Sequence, residues 1–156
     1  MTRLRLLLAV SLLLMAIPAH AFEPNASPQS LLHELYRVHA RGEGPILDPT
    51  AQKHRRIFFT PSLAAALDRE LNRADPEETA TLDFDPFYNA QETELGEIDI
   101  AVPKVSGSRV NAIVRLANFG EPIEIVYQLV QDAHGWRIDD ILYSEGNTLR
   151  KTLAGE

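Results

Sequence analysis

The sequence contains no cysteine among its 156 residues. Disulfide bonds, thiolate zinc sites and cysteine nucleophiles are therefore excluded. A bacterial lipoprotein anchor is excluded too, because that anchor needs a cysteine at the cleavage point. A chain of this length without cross-links must be held together by packing, and it is long enough to bury roughly two-thirds of its unfolded surface in one domain.

Basic residues are scarce relative to acidic ones. The chain has 15 Lys and Arg against 22 Asp and Glu, which gives a formal charge of −7. This negative charge opposes binding to nucleic acid and to anionic membranes, because both need a cationic face. The sequence also lacks a glycine-rich phosphate loop and a serine within a glycine-rich elbow. We therefore expect no nucleic-acid partner and no cofactor.

The first 21 residues have the pattern of an export signal. Arg3 and Arg5 precede an almost wholly apolar run from Leu6 to Ile17, and Ala19-His20-Ala21 supplies small residues where a signal peptidase cuts. The run is too short for a stable membrane span, which needs about 20 residues. We expect cleavage after Ala21 and an unanchored protein in the bacterial periplasm. Loss of the two arginines changes the formal charge from −7 to −9.

Three proline-led segments predict helices in the first half of the mature chain. Ser27-Pro28, Asp48-Pro49 and Thr60-Pro61 each place a capping side chain before a proline. This arrangement favours a helix start. The second helix is predicted to end near Phe59 and the third at Asp75-Pro76.

From Gly96 onward apolar residues alternate with polar ones, which is the period of half-buried strands. Turns at 106–108, 118–120 and 132–135 separate four such runs, and short turns between successive strands predict an antiparallel meander. Helices followed by an antiparallel sheet are typical of the α+β class, with the helices on one face. Since long strands coil, we expect residues 22–156 to form one domain in which helices cover a curved sheet and enclose a pocket.

Three short motifs resemble a known bacterial family. They are Asp83-Phe84-Asp85-Pro86-Phe87 with Ala90-Gln91, the run from Trp136 to Ile141, and Asn147-Thr148-Leu149-Arg150. In this order they resemble the family called domain of unknown function 3828, which is similar in fold to the nuclear-transport-factor-2-like, or cystatin-like, cone. The resemblance implies that cone and an exported or envelope setting, and it supplies no catalytic residues. This chain departs from the lipoprotein-like members in having no cysteine.

Asp140 is the sharpest candidate for chemistry. Strict alternation places it on the same face as Trp136 and Ile138, so that its carboxylate points into the core or a central pocket. A carboxylate there could act as a general base or anchor a ligand donor. One alternative is a β-bulge near Asp139, which would turn Ile141 inward instead. Another is a buried aspartate that ties down neighbouring helices.

Four other residues are candidates for the same pocket. Asp83 and Asp85 could form a polar patch beside Asp140, with Tyr127 and Trp136 lining it. Alternatively, Asp85 caps a short turn at the following proline, and Trp136 belongs to the core. A calcium loop is not expected, because aromatic residues stand where such a loop needs an acid and a glycine.

Lys53-His54-Arg55-Arg56 is the one basic run of the mature chain. Consecutive charges on a helix point to different sides, which is typical of a solvated surface. The alternative is a small anion site or a docking patch. His33 and His39 are six residues apart and do not match the i, i+4 spacing of helical metal ligands, so we expect no metal.

These observations predict an exported, non-catalytic binding or interaction protein. Its partner would be another protein, for instance a basic one, or a small apolar ligand held in the cone. One alternative is a small cone-fold enzyme of the isomerase or dehydratase type that uses Asp140, which rests on fold analogy alone. A structural envelope protein is the other. Ile113, Val126 and Val130, on the second face of the sheet, predict a homodimer interface.

Overall fold

The structure, a computed structural model, describes residues 23–47, 50–72, 81–144 and 146–156. The predicted export leader lies outside these residues, as do the helix signals at Asp48-Pro49 and Asp75-Pro76. Within them, three helices precede four strands and a short helix follows. The predicted α+β class is therefore confirmed.

The first and third helices begin at their predicted prolines, Pro28 and Pro61, whereas the second begins only at Gln52, three residues beyond Pro49. The Ser27 hydroxyl accepts a hydrogen bond from the backbone N–H of Ser30 at 3.0 Å, so the first helix has the predicted cap. The Thr60 side chain does not cap the third helix. Its hydroxyl donates to the Asp139 carboxylate at 3.1 Å instead. The helices are α1 (Pro28–His39), α2 (Gln52–Phe58), α3 (Pro61–Leu71) and α4 (Leu149–Ala154).

The sheet has four antiparallel strands, each paired with the next one along the chain. This is the predicted meander. Gly135 closes the last hairpin with a φ of +101°, a conformation that glycine adopts without strain. The strands are β1 (Leu95–Ala101), β2 (Arg109–Asn118), β3 (Glu121–Asp132) and β4 (Gly135–Leu142).

The hydrophobic core lies between the helices and one face of the sheet. Alternate residues of the two central strands are buried there, and leucines of α1 and α3 pack with them in one cluster. Their burial stabilises the fold by about 25 cal/mol for each Å² of apolar surface removed from water. Because these side chains fill the interior, the central pocket that the sequence predicts is occupied by the core. These side chains include Leu31, Leu35, Leu63, Leu67, Val114, Ile125, Tyr127 and Leu129.

The aromatic segment before β1 is packed onto this core, as predicted. Asp85 and Ala90 pair across a tight turn, the 85–90 turn. Phe87 within it is fully buried and stacks on Phe59, with ring centroids 6.2 Å apart. The turn therefore closes one end of the core.

A β-bulge interrupts β4 at Asp139. Gln128 of β3 pairs with Asp140, and the next residue of β3 pairs with Ile138, so Asp139 has no partner across the ladder. The extra residue shifts the alternation, and Ile138 and Ile141 are both fully buried. The prediction that strict alternation places the Asp140 side chain on the same face as Ile138 is therefore wrong. The alternative, a β-bulge near Asp139 that turns Ile141 inward, is confirmed.

The two edges of the sheet differ. The outer edge of β4 is covered: the Thr60 N–H donates to the Ile138 carbonyl at 2.9 Å, and the Tyr143 N–H just beyond β4 donates to the Asn147 carbonyl at 3.0 Å. The first of these bonds holds α2 and α3 beside β4. At the other edge, β1 has an irregular register between Leu95 and Ile98 and pairs with no further strand of the described residues.

Candidate functional site

Asp140 is tied to backbone groups. Its side chain is almost fully buried, and its Oδ1 accepts hydrogen bonds from the N–H groups of Ile141 at 2.9 Å and Arg150 at 3.1 Å. Because Arg150 is in the first turn of α4, the carboxylate meets the positive end of that helix. Asp140 therefore joins the bulge to α4, which is the structural role considered as an alternative.

We predict that Asp140→Ala lowers the free energy of unfolding by about 2 kcal/mol, because two poorly solvated N–H groups lose their acceptor. Asp140→Asn keeps an acceptor oxygen and should lose less. Urea unfolding of residues 22–156 measures both losses. The control is Asp83→Ala at an exposed position, whose free energy of unfolding is expected within about 0.5 kcal/mol of the parent. An unchanged midpoint for Asp140→Ala would contradict the structural role.

The other predicted pocket residues do not hydrogen-bond to Asp140 in the described structure. Asp83 is exposed, and Trp136 is buried in the core. Asp85 lies 2.5 Å from His39 Nε2 and accepts the Phe87 N–H at 2.9 Å, so it caps the 85–90 turn.

Tyr127 belongs to a buried tyrosine cluster, which also contains Tyr36 and Tyr143. The Tyr36 hydroxyl lies 2.8 Å from that of Tyr127 and donates to the Phe87 carbonyl at 2.8 Å. Burial raises the pKa of all three tyrosines well above the usual value. Their hydroxyls therefore stay protonated at neutral pH. The hydroxyls of Tyr36 and Tyr143 donate to carbonyls of the 85–90 turn, those of Phe87 and Pro86.

A cleft of about 420 Å³ opens elsewhere, between α2, α3 and the hairpin that joins β3 to β4. Arg56 of α2 and Arg137 of β4 stand at its sides, and His134 comes from the hairpin tip. Small residues of α3 form an apolar floor. We call it the arginine cleft; it is lined by Arg56, Pro61, Ala64, Ala65, Asp68, His134 and Arg137.

The cationic groups of the arginine cleft are only partly neutralised. Within the described residues, the Arg56 guanidinium has no hydrogen-bond or ion-pair partner. Arg137 Nη1 donates to the Arg56 carbonyl, and its Nε lies 3.2 Å from Asp132 without the alignment of a hydrogen bond. The carboxylate in the lining, Asp68, is paired with Arg55. Arg56 is thus the lining guanidinium that has no counter-charge among the described residues.

A second cleft of about 300 Å³ lies on the other side of α3, against α4. Its Arg150 is already engaged, because Nη2 lies 2.9 Å from both the Asp139 carboxylate and the Ser62 hydroxyl. Its other arginine, Arg69, is exposed and has no hydrogen-bond or ion-pair partner in the described residues, so this smaller cleft also carries an unpaired guanidinium.

The basic run divides between core and surface. Arg55 is fully buried, so the prediction of a solvated run is wrong at this residue, while Lys53, His54 and Arg56 are exposed. No pattern in the sequence indicates that Arg137 lies beside Arg56, since 81 residues separate them. Only the packing of α2 beside β4 brings the two together.

The residues of the predicted dimer interface share the outer face of the sheet. Ile113, Val126 and Val130 are half-buried there. The strand register aligns Ala101, Ile113, Val126 and Leu142 in one apolar row across all four strands. The homodimer stays a prediction, which a mass measurement in solution tests.

The described part of the chain holds no group of three or more His, Asp or Glu side chains placed to bind a metal ion. None of its helices combines the length and the apolar character that a membrane crossing requires.

No protein-family model and no curated protein matches the chain. Among solved structures, it is similar to the phospholipid-binding protein of Ralstonia solanacearum, whose structure was determined in complex with a phospholipid. The two share 16% identity over 80% of this chain and 69% of that chain, with a TM-score of 0.38. A likeness this distant assigns neither a family nor a ligand to this chain.

Proposed function

We propose that this chain is an exported, non-catalytic binding protein of the periplasm, and that it holds an anionic group of its ligand in the arginine cleft. The observation that carries the proposal is the pair Arg56 and Arg137, whose cationic side chains line one cleft and retain donors for a ligand. The leader pattern of residues 1–21 supports export. The family resemblance agrees with it.

The chemistry of the cleft favours a phosphate or carboxylate group. A guanidinium presents planar paired donors that match the oxygens of either anion. The imidazole of His134 adds a further polar group at the rim. The floor of Pro61, Ala64 and Ala65 fits a small apolar body next to the anion.

The arrangement supports binding better than catalysis. Asp140, the candidate base, is occupied by two backbone donors, and the hydroxyls of Tyr36 and Tyr143 donate to carbonyls of a turn. The core fills the region where the sequence predicts a ligand cavity. The proposed ligand therefore binds at the surface. The group that enters the arginine cleft is anionic, whereas the net charge of the chain alone suggests a basic partner.

Calorimetric titration of the mature chain with phenyl phosphate and with benzoate tests the proposal. Arg56→Ala should weaken the tighter of the two interactions by about 10- to 100-fold, since a hydrogen bond to a charged group contributes about 1.5–3 kcal/mol. Arg56→Lys keeps the charge but loses the planar fork, so it should recover only part of the affinity. Arg41→Ala, an exposed arginine outside both clefts, is the matched control.

Flotation with anionic and zwitterionic phospholipid vesicles separates the two sources of a phosphate group. Binding to anionic vesicles that requires Arg56 assigns the site to a lipid headgroup, whereas binding of the soluble probes alone assigns it to a free anion. The proposal is overturned if Arg56→Ala binds like the parent, or if none of the probes binds.

A further inference from the structure

The residues just after the predicted cleavage point are docked on the folded body. Pro24–Ala26 form one 3₁₀ turn ahead of α1. From this turn, Asn25 Nδ2 donates to the carbonyl of Ile57 at 2.6 Å and to the carbonyl of Trp136 at 2.8 Å. One primary amide, with its two N–H donors, therefore serves two acceptors from distant parts of the chain.

These two acceptors are the neighbours of the cleft arginines. Ile57 follows Arg56 in α2, and Trp136 precedes Arg137 in β4. Asn25 thus fastens the backbone of one side of the arginine cleft to the backbone of the other, one residue away from each arginine in the sequence. The further bond from Arg137 Nη1 to the Arg56 carbonyl runs across the same junction.

The close approach of this N-terminal turn depends on Gly135. A Cβ atom at residue 135 would lie 2.5 Å from the Asn25 carbonyl oxygen, closer than real Cβ contacts. The hairpin that carries His134 is therefore shaped to receive the turn. Neither aspartate nor serine at residue 25 could make both bonds, because aspartate has no donor and serine has one.

We propose that Asn25 is a positioning residue of the arginine cleft. From its place in the N-terminal turn, it sets the distance between Arg56 and Arg137. The inference rests on the proposed function for its link to ligand binding. The effect of Asn25 on the distance between the two sides of the cleft can be measured without a ligand. A loss of this spacing misplaces guanidinium groups that must face one anion together.

The absence of native cysteine permits a direct distance measurement. Nitroxide labels at Lys53→Cys and Ala133→Cys, both exposed, report on α2 and the hairpin. We expect Asn25→Ala and the near-isosteric Asn25→Asp to broaden the distance distribution or lengthen its mean. Both should weaken binding of the anionic probe that the parent binds by about tenfold, which equals the loss of one to two hydrogen bonds.

Gln29→Ala is the matched control. Gln29 also donates a side-chain amide to a backbone carbonyl, that of Ile100 at 3.2 Å, but at the opposite edge of the sheet. It should change neither the label distances nor the affinity. Thermal unfolding of each variant confirms that the measurements are made on folded protein.

The outcomes separate this inference from the proposed function. Unchanged label distances in both Asn25 variants overturn the inference, whether or not affinity falls. Changed distances with parental affinity overturn its link to binding. If Arg56→Ala binds like the parent while the Asn25 variants still change the distances, the proposed function fails and the spacing role of Asn25 is upheld.

Discussion

Arg55→Ala should lower the free energy of unfolding by about 3–5 kcal/mol, a large share of the roughly 5–15 kcal/mol that stabilises a typical domain. Arg55 is fully buried, pairs with Asp68 and donates from Nη1 to the Pro45 carbonyl at 3.0 Å. Removing its side chain leaves a cavity and deprives both acceptors of their donor. Urea unfolding measures the loss.

The adjacent Arg56 supplies the control for this experiment. Because Arg56 is exposed, Arg56→Ala should stay within about 0.5 kcal/mol of the parent. Arg55→Met keeps most of the buried volume and should be less damaging than Arg55→Ala. Equal, small effects at residues 55 and 56 would show that the Arg55 guanidinium does not stabilise the fold.

Above pH 10 the protein should lose stability steeply, because the tyrosine cluster resists ionisation in the folded state. Burial raises the pKa values of Tyr36, Tyr127 and Tyr143 above the ordinary value of 10.0 that applies when the chain is unfolded. Their contribution is therefore fully present below about pH 10 and is lost as pH rises towards the folded-state pKa values. Each tyrosine adds a slope of about 1.4 kcal/mol per pH unit, or about 4 kcal/mol for three.

Urea unfolding at a series of pH values from 8 upward, read by circular dichroism, measures this slope. Tyr143→Phe removes one titrating group and should reduce the slope by about 1.4 kcal/mol per pH unit. It should lower the stability little at neutral pH, because the hydrogen bond from Tyr143 to the Pro86 carbonyl is long, at 3.3 Å. Ultraviolet absorbance showing that all three tyrosines ionise near pH 10 in folded protein would contradict the prediction.

Features set by local chemistry could be predicted from the sequence. The cap at Ser27, the helix start at Pro61 and the strand meander depend on near neighbours and on the period of apolar residues. The burial of the 85–90 turn was predictable too, because so many aromatic side chains do not remain in solvent. These elements account for most of the fold.

The candidate site could not be predicted from the sequence, for a physical reason. Arg56, Arg137 and His134 meet only because the backbone before α3 bonds to the edge of β4, a contact between distant segments with no pattern in either one. The bulge had a weak signal, since two acids separate Ile138 from Ile141 where one polar residue would keep the alternation. The burial of Arg55 had no signal in the sequence, because nothing distinguishes it from the other basic residues of the run.

The covered edge of β4 limits how the protein can aggregate. Among the described strands, β1 alone has an open edge at which a second copy can extend the sheet by strand addition. There the register is irregular, and Glu97 and Asp99 are exposed, so two such edges repel each other at neutral pH. A chain that has no disulfide cross-links to keep it folded is thereby protected against fibre growth.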